Sequence, residues 1–298
     1  MDRREKILAH INPTGFGLEI GPAFAPVLPK ALGYLVETID HLDAEGLRDK
    51  YANTPGVNLT IEDVDYVWDG RPLDEVIGHL ERYDFIVASH VIEHTPDLVN
   101  YLGACERLLK PAGILSLVVP DQRFCFDYFR FPTTTGEVLD AYLLERRKHS
   151  PGAVFDQVAL AVERNGQIAW EKSSVGDITL KHRIADAVYQ YERAQSLNEY
   201  IDIHNWRFTP SSFRLILGEL RFLELTPFVE KSFYETSGCE FYVSLEKQPA
   251  SEQTTGGLSE GERLRLILEI RRELMTCAEG FESERNVSTT LRHELRGV

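Results

Sequence analysis

Cysteine is scarce in this chain, and its spacing argues against two classes of site. Only four of the 298 residues are cysteines, Cys105, Cys125, Cys239 and Cys277, and no two of them form a CxxC pair. This scatter is not that of a disulfide framework or of a cysteine-based zinc site. It is typical of a reducing compartment, so we expect a cytoplasmic protein.

Long apolar runs are also lacking. No stretch approaches the roughly 18–20 consecutive apolar residues that a membrane-spanning helix needs. The first residues, MDRREK, lack the apolar segment of a secretory signal. We therefore expect no integral membrane segment and no export.

Positive charge is outnumbered. The chain has 32 lysines and arginines against 47 acidic residues, a net charge of −15 and a pI near 5.1. A surface of this sign repels phosphate backbones, so we expect no nucleic-acid partner.

Apolar residues make up 43% of the chain, and they are arranged as alternating strands and helices. The alternation predicts an α/β fold with parallel strands joined by right-handed crossovers. A strongly periodic helix is expected over 97–109, ended by Pro111 and Gly113. The predicted strands are 18–20, 35–40, 64–68, 84–89 and 114–119, followed by a pair at 224–229 and 240–245 that is expected to form an antiparallel edge.

The remainder of the chain departs from this alternation. Residues 121–205 are rich in aromatic and charged side chains with no clear strand, which predicts a helical insertion or lid within one domain over 1–247. Residues 248–257 have the Pro, Ser, Thr and Gly content of a linker. Residues 258–298 form an amphipathic helix, either packed back on the domain or beginning a coiled coil.

The segment Gly17–Pro26 organises the chain, and it contains few glycines for a nucleotide-binding turn. Gly21 follows the first strand and is flanked by Pro22, with Pro26 beyond it. A dinucleotide enzyme needs several glycines and free N–H groups to hold a pyrophosphate, and proline removes N–H groups. This turn therefore favours a ligand that carries no phosphate.

Acidic residues end successive predicted strands. Glu19 lies in strand one, Asp40 ends strand two and Asp69 follows strand three, while SHVIEH, residues 89–94, follows strand four. The carboxyl ends of parallel strands meet at one edge, where ligands of open α/β sheets bind. The sequence predicts one crevice lined by these residues.

With these motifs, the stretch from Gly17 to Pro120 resembles the class I S-adenosylmethionine-dependent methyltransferases, especially the branch with a (S/H)xxEH segment after strand four. The resemblance implies a Rossmann-like seven-stranded sheet and S-adenosylmethionine as cofactor. The family's first motif usually has three alternating glycines, whereas here Ala23 and Ala25 replace the second and third.

The resemblance also implies roles for the cofactor residues. Glu19 would fix the turn or reach the cofactor through water, Asp40 would bind the ribose hydroxyls and Asp69 the adenine amino group. Alternatively, Asp40 is a helix-capping acid, with Asp43 as its competitor, and Asp69 belongs to an ordinary Asp-Gly turn. The cofactor-binding set predicted in this way is Glu19, Gly21, Ala23, Asp40, His41, Asp69, Gly70, Ser89 and His90.

His90 and His94 lie four residues apart with Glu93 between them, a spacing that can hold a metal ion. No third ligand can be placed from the sequence, so we predict no metal. A capping role at the head of the following helix is the alternative for Glu93 and His94.

Methyl transfer to a hydroxyl benefits from a general base, and histidine is suited to neutral pH. His204 is the first choice, and the alternative is a histidine that packs against Trp206. Candidate catalytic residues are His204, His94 and Asp121, with His90 and Asp127 also considered, and candidate acceptor-binding residues are Arg123, Tyr128, Arg130 and Trp206.

The HNWRFTP segment and the long insertion are similar to methyltransferases of bacterial surface-polysaccharide synthesis. This resemblance implies O-methylation of a sugar or glycan precursor, with the C-terminal helix joining a second copy or a glycosyltransferase. The alternative is a catalytically inactive scaffold of the same fold.

Overall fold

The computed structural model describes residues 1–54, 60–196, 200–248 and 258–275. Its centre is a seven-stranded sheet in the order β3-β2-β1-β4-β5-β9-β8. The strands of this sheet are β1 Gly17–Ile20, β2 Val36–Asp40, β3 Tyr66–Val67, β4 Tyr83–Ser89, β5 Leu109–Pro120, β8 Phe228–Ser237 and β9 Glu240–Lys247.

The first five strands of the sheet are parallel, as the alternation predicted. The centre of β4, residues 85–88, is apolar and fully buried because helices cover both faces of a parallel sheet. The helices are α1 Arg3–Leu8, α2 Ala44–Lys50, α3 Leu73–Ile77, α4 Leu98–Leu108, α5 Thr135–Leu143, α6 Pro151–Leu160, α7 Ile184–Ser196 and α8 Pro210–Phe222.

Helix α4 shows why the periodic segments fold as predicted. Asp97 caps its first turn by accepting a hydrogen bond from the Asn100 N–H, and its apolar side chains pack into the main core. The helix ends at Leu108, however, and β5 begins at Leu109, so Pro111 and Gly113 lie inside the strand rather than ending the helix.

The last two strands form the expected antiparallel pair at one end of the sheet, with β8 outermost. β9 is antiparallel to both β5 and β8, so it lies inside the sheet and only β8 is at the edge. β8 also starts at Phe228, later than predicted, because the chain turns at Glu224 with a positive φ of 58° after α8. Strand 224–229 was therefore placed too early.

The segment 121–205 contains helices α5, α6 and α7 and also a two-stranded hairpin, β6 Val162–Arg164 and β7 Ile178–Leu180. The expectation of no strand there was wrong. Each of these strands has three residues, which is too short for a period-2 pattern to be recognised.

Residues 260–275 are helical and pack against α8. Leu266 is buried, Arg263 pairs with Glu219 at 2.7 Å, and the Glu273 carboxylate accepts a hydrogen bond from the Ser211 hydroxyl at 2.8 Å. Most of the predicted linker (249–257) and the end of the predicted coiled coil (276–298) lie outside the described residues. Among the described helices, none is long and apolar enough to cross a membrane.

Candidate active site

The carboxyl ends of β1, β2 and β4 lie level with one another. Ile20 is paired with Ile39 on one side and with Ala88 on the other. The next hydrogen bond of the ladder runs from the Gly21 N–H to the Ile39 carbonyl at 2.8 Å. The structure thus brings the predicted cofactor residues of these three strands to one edge.

The Gly21 turn is tight. Gly21 has a φ of 66°, and a Cβ there would lie 3.0 Å from Val91 Cγ2. Ala23, where the family motif has its second glycine, also has a positive φ of 44°. Its N–H donates to Asp40 Oδ2 at 2.8 Å, which ties the turn to the end of β2.

Glu19 holds this turn in place through hydrogen bonds to residues that follow it in the chain. Its buried carboxylate accepts hydrogen bonds from the N–H groups of Val27 at 2.6 Å and Leu28 at 2.9 Å. Burial raises the pKa of Glu19 to about 7, although the two backbone bonds oppose the shift. Two roles were expected for Glu19, fixing the turn or reaching the cofactor through water. The contacts that the structure describes are those of a residue that fixes the turn.

Asp40 is buried at the end of β2 and uses both carboxylate oxygens. Oδ1 lies 2.7 Å from the His41 N–H and 2.5 Å from His41 Nδ1, while Oδ2 accepts from Ala23. Asp43, rather than Asp40, caps α2 by accepting from the Gly46 N–H at 2.8 Å. The capping alternative therefore applies to Asp43, and ribose binding by Asp40 stays a prediction.

Asp69 and Gly70 form an exposed Asp-Gly turn. Asp69 accepts from the Arg71 N–H and side chain, and these bonds lower the pKa of its carboxyl. Gly70 has a φ of 88° with open space where a Cβ would be. The turn alternative describes what the structure shows, while the adenine contact stays a prediction.

Ser89 and His90 are held by residues that the sequence did not single out. Arg3 donates to the Ser89 hydroxyl at 2.9 Å and pairs with Glu240 at 2.7 Å. His90 Nε2 lies 2.7 Å from the same Glu240 carboxylate. Although burial acts in the opposite direction, the hydrogen bonds from His90, Arg3 and Tyr242 lower the pKa of Glu240 to about 2. No sequence signal links Arg3 to Glu240, because 237 positions separate them.

Beyond His90, several histidines converge on one buried carboxylate. Glu93 is completely buried, and within the described residues neither of its carboxylate oxygens has a hydrogen-bond partner. Its Oε1 lies 3.5 Å from His90 Nδ1, 3.9 Å from His94 Nε2 and 3.9 Å from His204 Nε2. This arrangement, which we call the histidine cluster (His90, Glu93, His94 and His204), is not the helix cap considered from the sequence, since Asp97 caps α4.

His204 enters the cluster from a distant segment. The N–H groups of Asn205 and Trp206 donate to the Glu93 carbonyl at 2.7 and 3.1 Å, which locks that segment against the end of β4. His204 Nδ1 lies 2.6 Å from Asp127 Oδ2. His204 packs on Phe126 and His94 rather than on Trp206, the neighbour considered in the sequence analysis.

A second carboxylate supports His94. Asp202 Oδ1 lies 2.8 Å from His94 Nδ1, and the Tyr200 hydroxyl donates to the His94 carbonyl at 3.0 Å. The His94 contact lowers the pKa of Asp202, so this carboxylate is ionised at neutral pH. Both His94 and His204 thus have one ring nitrogen beside a carboxylate and the other facing Glu93.

Three other predicted site residues form hydrogen bonds or ion pairs within the buried part of the structure. Asp121 is fully buried and bonds to Arg123 and Thr236, Arg130 is buried against Asp127, and Trp206 is buried with its Nε1 donating to the Thr95 hydroxyl. The described contacts of Asp121, Arg130 and Trp206 are thus those of a buried network, and their roles as base or acceptor ligands stay predictions. Arg123 pairs with Asp121, and Tyr128 packs beside Trp170, so neither is shown to face the edge.

The residues at the edge fit S-adenosylmethionine. The charged sulfur would need close backbone approach at the first turn, and the nucleoside would need a carboxylate at the end of the second strand. Gly21 and Asp40 lie at these two places and would hold the cofactor there. Pro22 and Pro26 leave no row of N–H groups for a pyrophosphate. The Gly21 turn therefore fits S-adenosylmethionine better than it fits a dinucleotide cofactor.

The mixed seven-stranded sheet and this edge define the class I methyltransferase fold, with S-adenosylmethionine as the cofactor. A family model described as a methyltransferase domain matches residues 2–219, and the chain belongs to this family.

Curated relatives match shorter stretches. The chain is 31% identical over 101 residues to the mitochondrial ubiquinone biosynthesis O-methyltransferase of Homo sapiens, which covers 34% of this chain and 21% of that protein. It is 29% identical over 104 residues to the ubiquinone biosynthesis O-methyltransferase of Actinobacillus pleuropneumoniae serotype 5b, covering 35% and 33%. These matches span less than half the length of either relative.

Solved structures are similar at low identity. A SAM-dependent methyltransferase from Methanosarcina mazei is 17% identical with a TM-score of 0.42, covering 81% of this chain and 96% of that one. A putative S-adenosylmethionine dependent methyltransferase from Listeria monocytogenes is 13% identical with a TM-score of 0.41, covering 82% and 97%.

Proposed function

We propose that this chain transfers a methyl group from S-adenosylmethionine to a hydroxyl of a small polar acceptor. The observation that carries the proposal is the histidine cluster at the cofactor edge, where Asp127 orients the His204 imidazole and Asp202 lies beside the His94 imidazole. A hydroxyl must lose its proton to become a good nucleophile, and this cluster is built to remove one.

The bound cofactor supplies an electrophilic methyl group on a positively charged sulfur. The chain holds the reacting groups in line, which can supply most of the rate enhancement. The strand-tip turn at Gly21 fixes the donor side, and the segment that carries His204 forms the acceptor side. Asp127 fixes the His204 ring so that Nε2 points toward the cluster.

The finer proposal concerns the acceptor. The resemblance of the HNWRFTP segment supports a sugar or glycan precursor, whereas the names of the curated relatives support an acceptor of ubiquinone biosynthesis. Both acceptors are methylated on oxygen, and our proposal is O-methylation of a sugar. Incubation with labelled cofactor and a panel of sugar nucleotides and catechols tests it. Turnover of catechols alone would contradict the sugar acceptor and keep O-methylation.

A variant tests the role of the cluster. We expect His204→Gln to lower methyl transfer by about 10²–10⁴-fold, the usual range for loss of proton transfer, with little change in cofactor affinity. His10→Gln, at an exposed histidine, is the matched control and should keep full activity.

Calorimetry with S-adenosylmethionine and S-adenosylhomocysteine separates the enzyme from the inactive scaffold. We expect both compounds to bind. A chain that binds neither at millimolar concentration would contradict the proposed function.

A further inference from the structure

We propose that Glu93, His94 and His204 bind one divalent first-row transition-metal ion, which activates the acceptor hydroxyl. The binding of the ion stands on the geometry alone. The activation step rests on the proposed function.

The distances between the three side chains suit ligands of one cation. His94 Nε2 and His204 Nε2 each lie 3.9 Å from Glu93 Oε1, which is too far for a hydrogen bond. Metal–nitrogen and metal–oxygen bonds of about 2.0–2.2 Å place neighbouring ligand atoms roughly 3–4 Å apart. The ligand atoms of this trio all lie within 4.8 Å of one another. The sequence offered two of these residues, and the fold adds His204 as the third.

The charge of Glu93 requires a partner. A buried carboxylate without hydrogen bonds is costly unless a positive charge lies beside it. The ion pairs described for Glu93 are all with histidines, and none of these contacts is shorter than 3.5 Å. A divalent cation among the three side chains would satisfy both oxygens and the two imidazoles.

The Nδ1 atoms of the two histidines, on the side of each ring away from Glu93, lie beside carboxylates. Histidine ligands of metals usually have their second ring nitrogen bonded to a carboxylate or carbonyl, which fixes the tautomer and raises the basicity of the ligand. Here Asp127 lies 2.6 Å from His204 Nδ1, and Asp202 lies 2.8 Å from His94 Nδ1. The Asp127 bond leaves His204 Nε2 to bind, and the Asp202 carboxylate beside His94 Nδ1 leaves His94 Nε2 on the side of Glu93.

A neighbouring trio is a weaker candidate. The ligand atoms of Cys125, Asp127 and His204 are also within 4.8 Å of one another. Asp127, however, already holds the Arg130 guanidinium at 2.7 Å and His204 Nδ1, and a second cation there would be repelled by Arg130. Among the described residues, no arginine or lysine forms an ion pair with Glu93, whose ion-pair partners are histidines.

The donor set indicates the class of ion. Two imidazoles with one carboxylate suit Zn²⁺, Fe²⁺, Co²⁺ or Ni²⁺ better than Mg²⁺ or Ca²⁺, which prefer oxygen ligands. Three protein ligands leave positions open for the acceptor. With the ion bound, His204 Nε2 is a ligand and the ion replaces it as the activating group: a hydroxyl bound to the ion has a lowered pKa, releases its proton to solvent and attacks as the metal-bound alkoxide or phenolate. Its oxygen then forms the new bond to carbon as the carbon–sulfur bond breaks.

The test is metal binding by the full chain, freed of metal with a chelator that is then removed. We expect calorimetry to show one equivalent of Zn²⁺ and of Co²⁺ bound at micromolar concentration or tighter, and bound Co²⁺ to give visible absorption bands. His94→Gln and His204→Gln should each weaken binding at least tenfold, and Asp127→Asn about 10–100-fold. His10→Gln and His79→Gln, at exposed histidines, should bind as the parent does. Circular dichroism shows that each variant is folded.

The outcomes separate the two proposals. A chain that binds no stoichiometric metal and still transfers methyl groups after chelation overturns the metal site and keeps the proposed function. Binding that survives both His94→Gln and His204→Gln in folded protein also overturns the site. Metal bound at the trio without methyl transfer to any hydroxyl supports the site and overturns the proposed function.

Discussion

Ala23 adopts a backbone conformation that suits glycine. Its φ of 44° is disfavoured for a residue with a Cβ, at a position where the family motif has glycine. The turn keeps this conformation because the Ala23 N–H is bonded to buried Asp40 and because Glu19 holds the turn on its far side. The turn thus keeps a left-handed backbone at a position where the resemblance implies glycine.

Restoring glycine at this position should stabilise the protein. We expect Ala23→Gly to raise the free energy of unfolding by about 1 kcal/mol, the cost of a left-handed conformation at a non-glycine residue. Denaturant titration measures the change. The matched control is Ala25→Gly, at a position with no positive φ, which should be neutral or destabilising. Equal effects of the two variants would show that Ala23 is unstrained.

Glu19 makes stability depend on pH. A carboxyl with a folded pKa of about 7 and an unfolded pKa near 4.5 binds its proton more tightly in the folded chain. Stability is therefore lost as pH rises from 4.5 to 7. At about 1.4 kcal/mol per pKa unit, the loss is about 3 kcal/mol. The measurement is the difference in unfolding free energy between the parent and Glu19→Gln, and we expect this difference to fall by that amount over the same pH range. A difference that does not depend on pH would contradict the burial of an ionisable Glu19.

Asp40 and Asp43 provide a matched pair of acidic residues. We expect Asp40→Ala to weaken binding of S-adenosylhomocysteine more than tenfold, because Asp40 both supports the Ala23 turn and is the predicted ribose ligand. Asp43→Ala should leave this affinity unchanged and cost about 1 kcal/mol of stability as the loss of a helix cap. Calorimetry and thermal melts measure the two effects, and the reverse pattern would move the ribose contact to Asp43.

At the scale of elements, α6 is bonded to the segment that carries His204. Gln157 on α6 accepts a hydrogen bond from the His204 N–H at 2.8 Å and another from Arg130 at 3.2 Å. Helix α6 is therefore bonded directly to the end of the same insertion, where His204 completes the histidine cluster. This arrangement makes α6 part of the support of the site.

Gln157→Ala tests that support. We expect turnover to fall about tenfold as His204 loses its position, with unchanged cofactor affinity and a stability loss of about 1–3 kcal/mol for the unsatisfied donors. Asp156→Ala, at the exposed neighbour, is the control. If the turnover of Gln157→Ala equals that of the parent protein, the contacts with Glu93 and Asp127 suffice to hold His204.

Elements with a long periodic pattern were predictable, and short or mixed ones were not. Helix α4 and strands β1, β2 and β4 follow from apolar periodicity, and Gly21 and Asp40 follow from their places at strand ends. The hairpin β6–β7 has too few residues to show a period. The start of β8 was misplaced because the residues near Glu224 turn before the strand begins.

The residues of the site also fall into those that could be placed from the sequence and those that could not. Residues that follow strands could be assigned to the edge from the sequence, because topology alone places them there. The meeting of Glu93 with His204, or of Arg3 with Glu240, depends on tertiary contacts between distant parts of the chain. Asp121, Arg130 and Trp206 could not be placed from the sequence because their types suit a site and a buried network equally well, and the structure shows all three in buried contacts.

On the scale of the whole molecule, the helix over 260–275 has two apolar sides. Leu266 is buried, with α8 bonded alongside at Glu219 and Ser211, while Leu264, Leu268 and Met275 are exposed. The buried side supports packing on the domain. The exposed side is where the predicted contact with a second copy or a glycosyltransferase would form.

Two alanine variants distinguish these sides. We expect Leu266→Ala to cost about 2–5 kcal/mol, as for other buried leucines, and Leu264→Ala to change stability by less than about 0.5 kcal/mol. Thermal melts at several protein concentrations provide the measurement. A loss in Leu264→Ala that depends on concentration would instead support pairing of two copies through this helix.

The position of β9 has a consequence for how the protein is made. Before residues 240–247 leave the ribosome, β5 has an open edge with unpaired backbone groups, and Glu240 cannot yet hold Arg3 and His90. A nascent chain that ends near residue 230 would thus contain every predicted cofactor ligand and still lack a finished binding edge. Because β5 must wait for a strand more than a hundred residues away, folding should be slow, and the chain should become able to bind its cofactor only after β9 has joined the sheet.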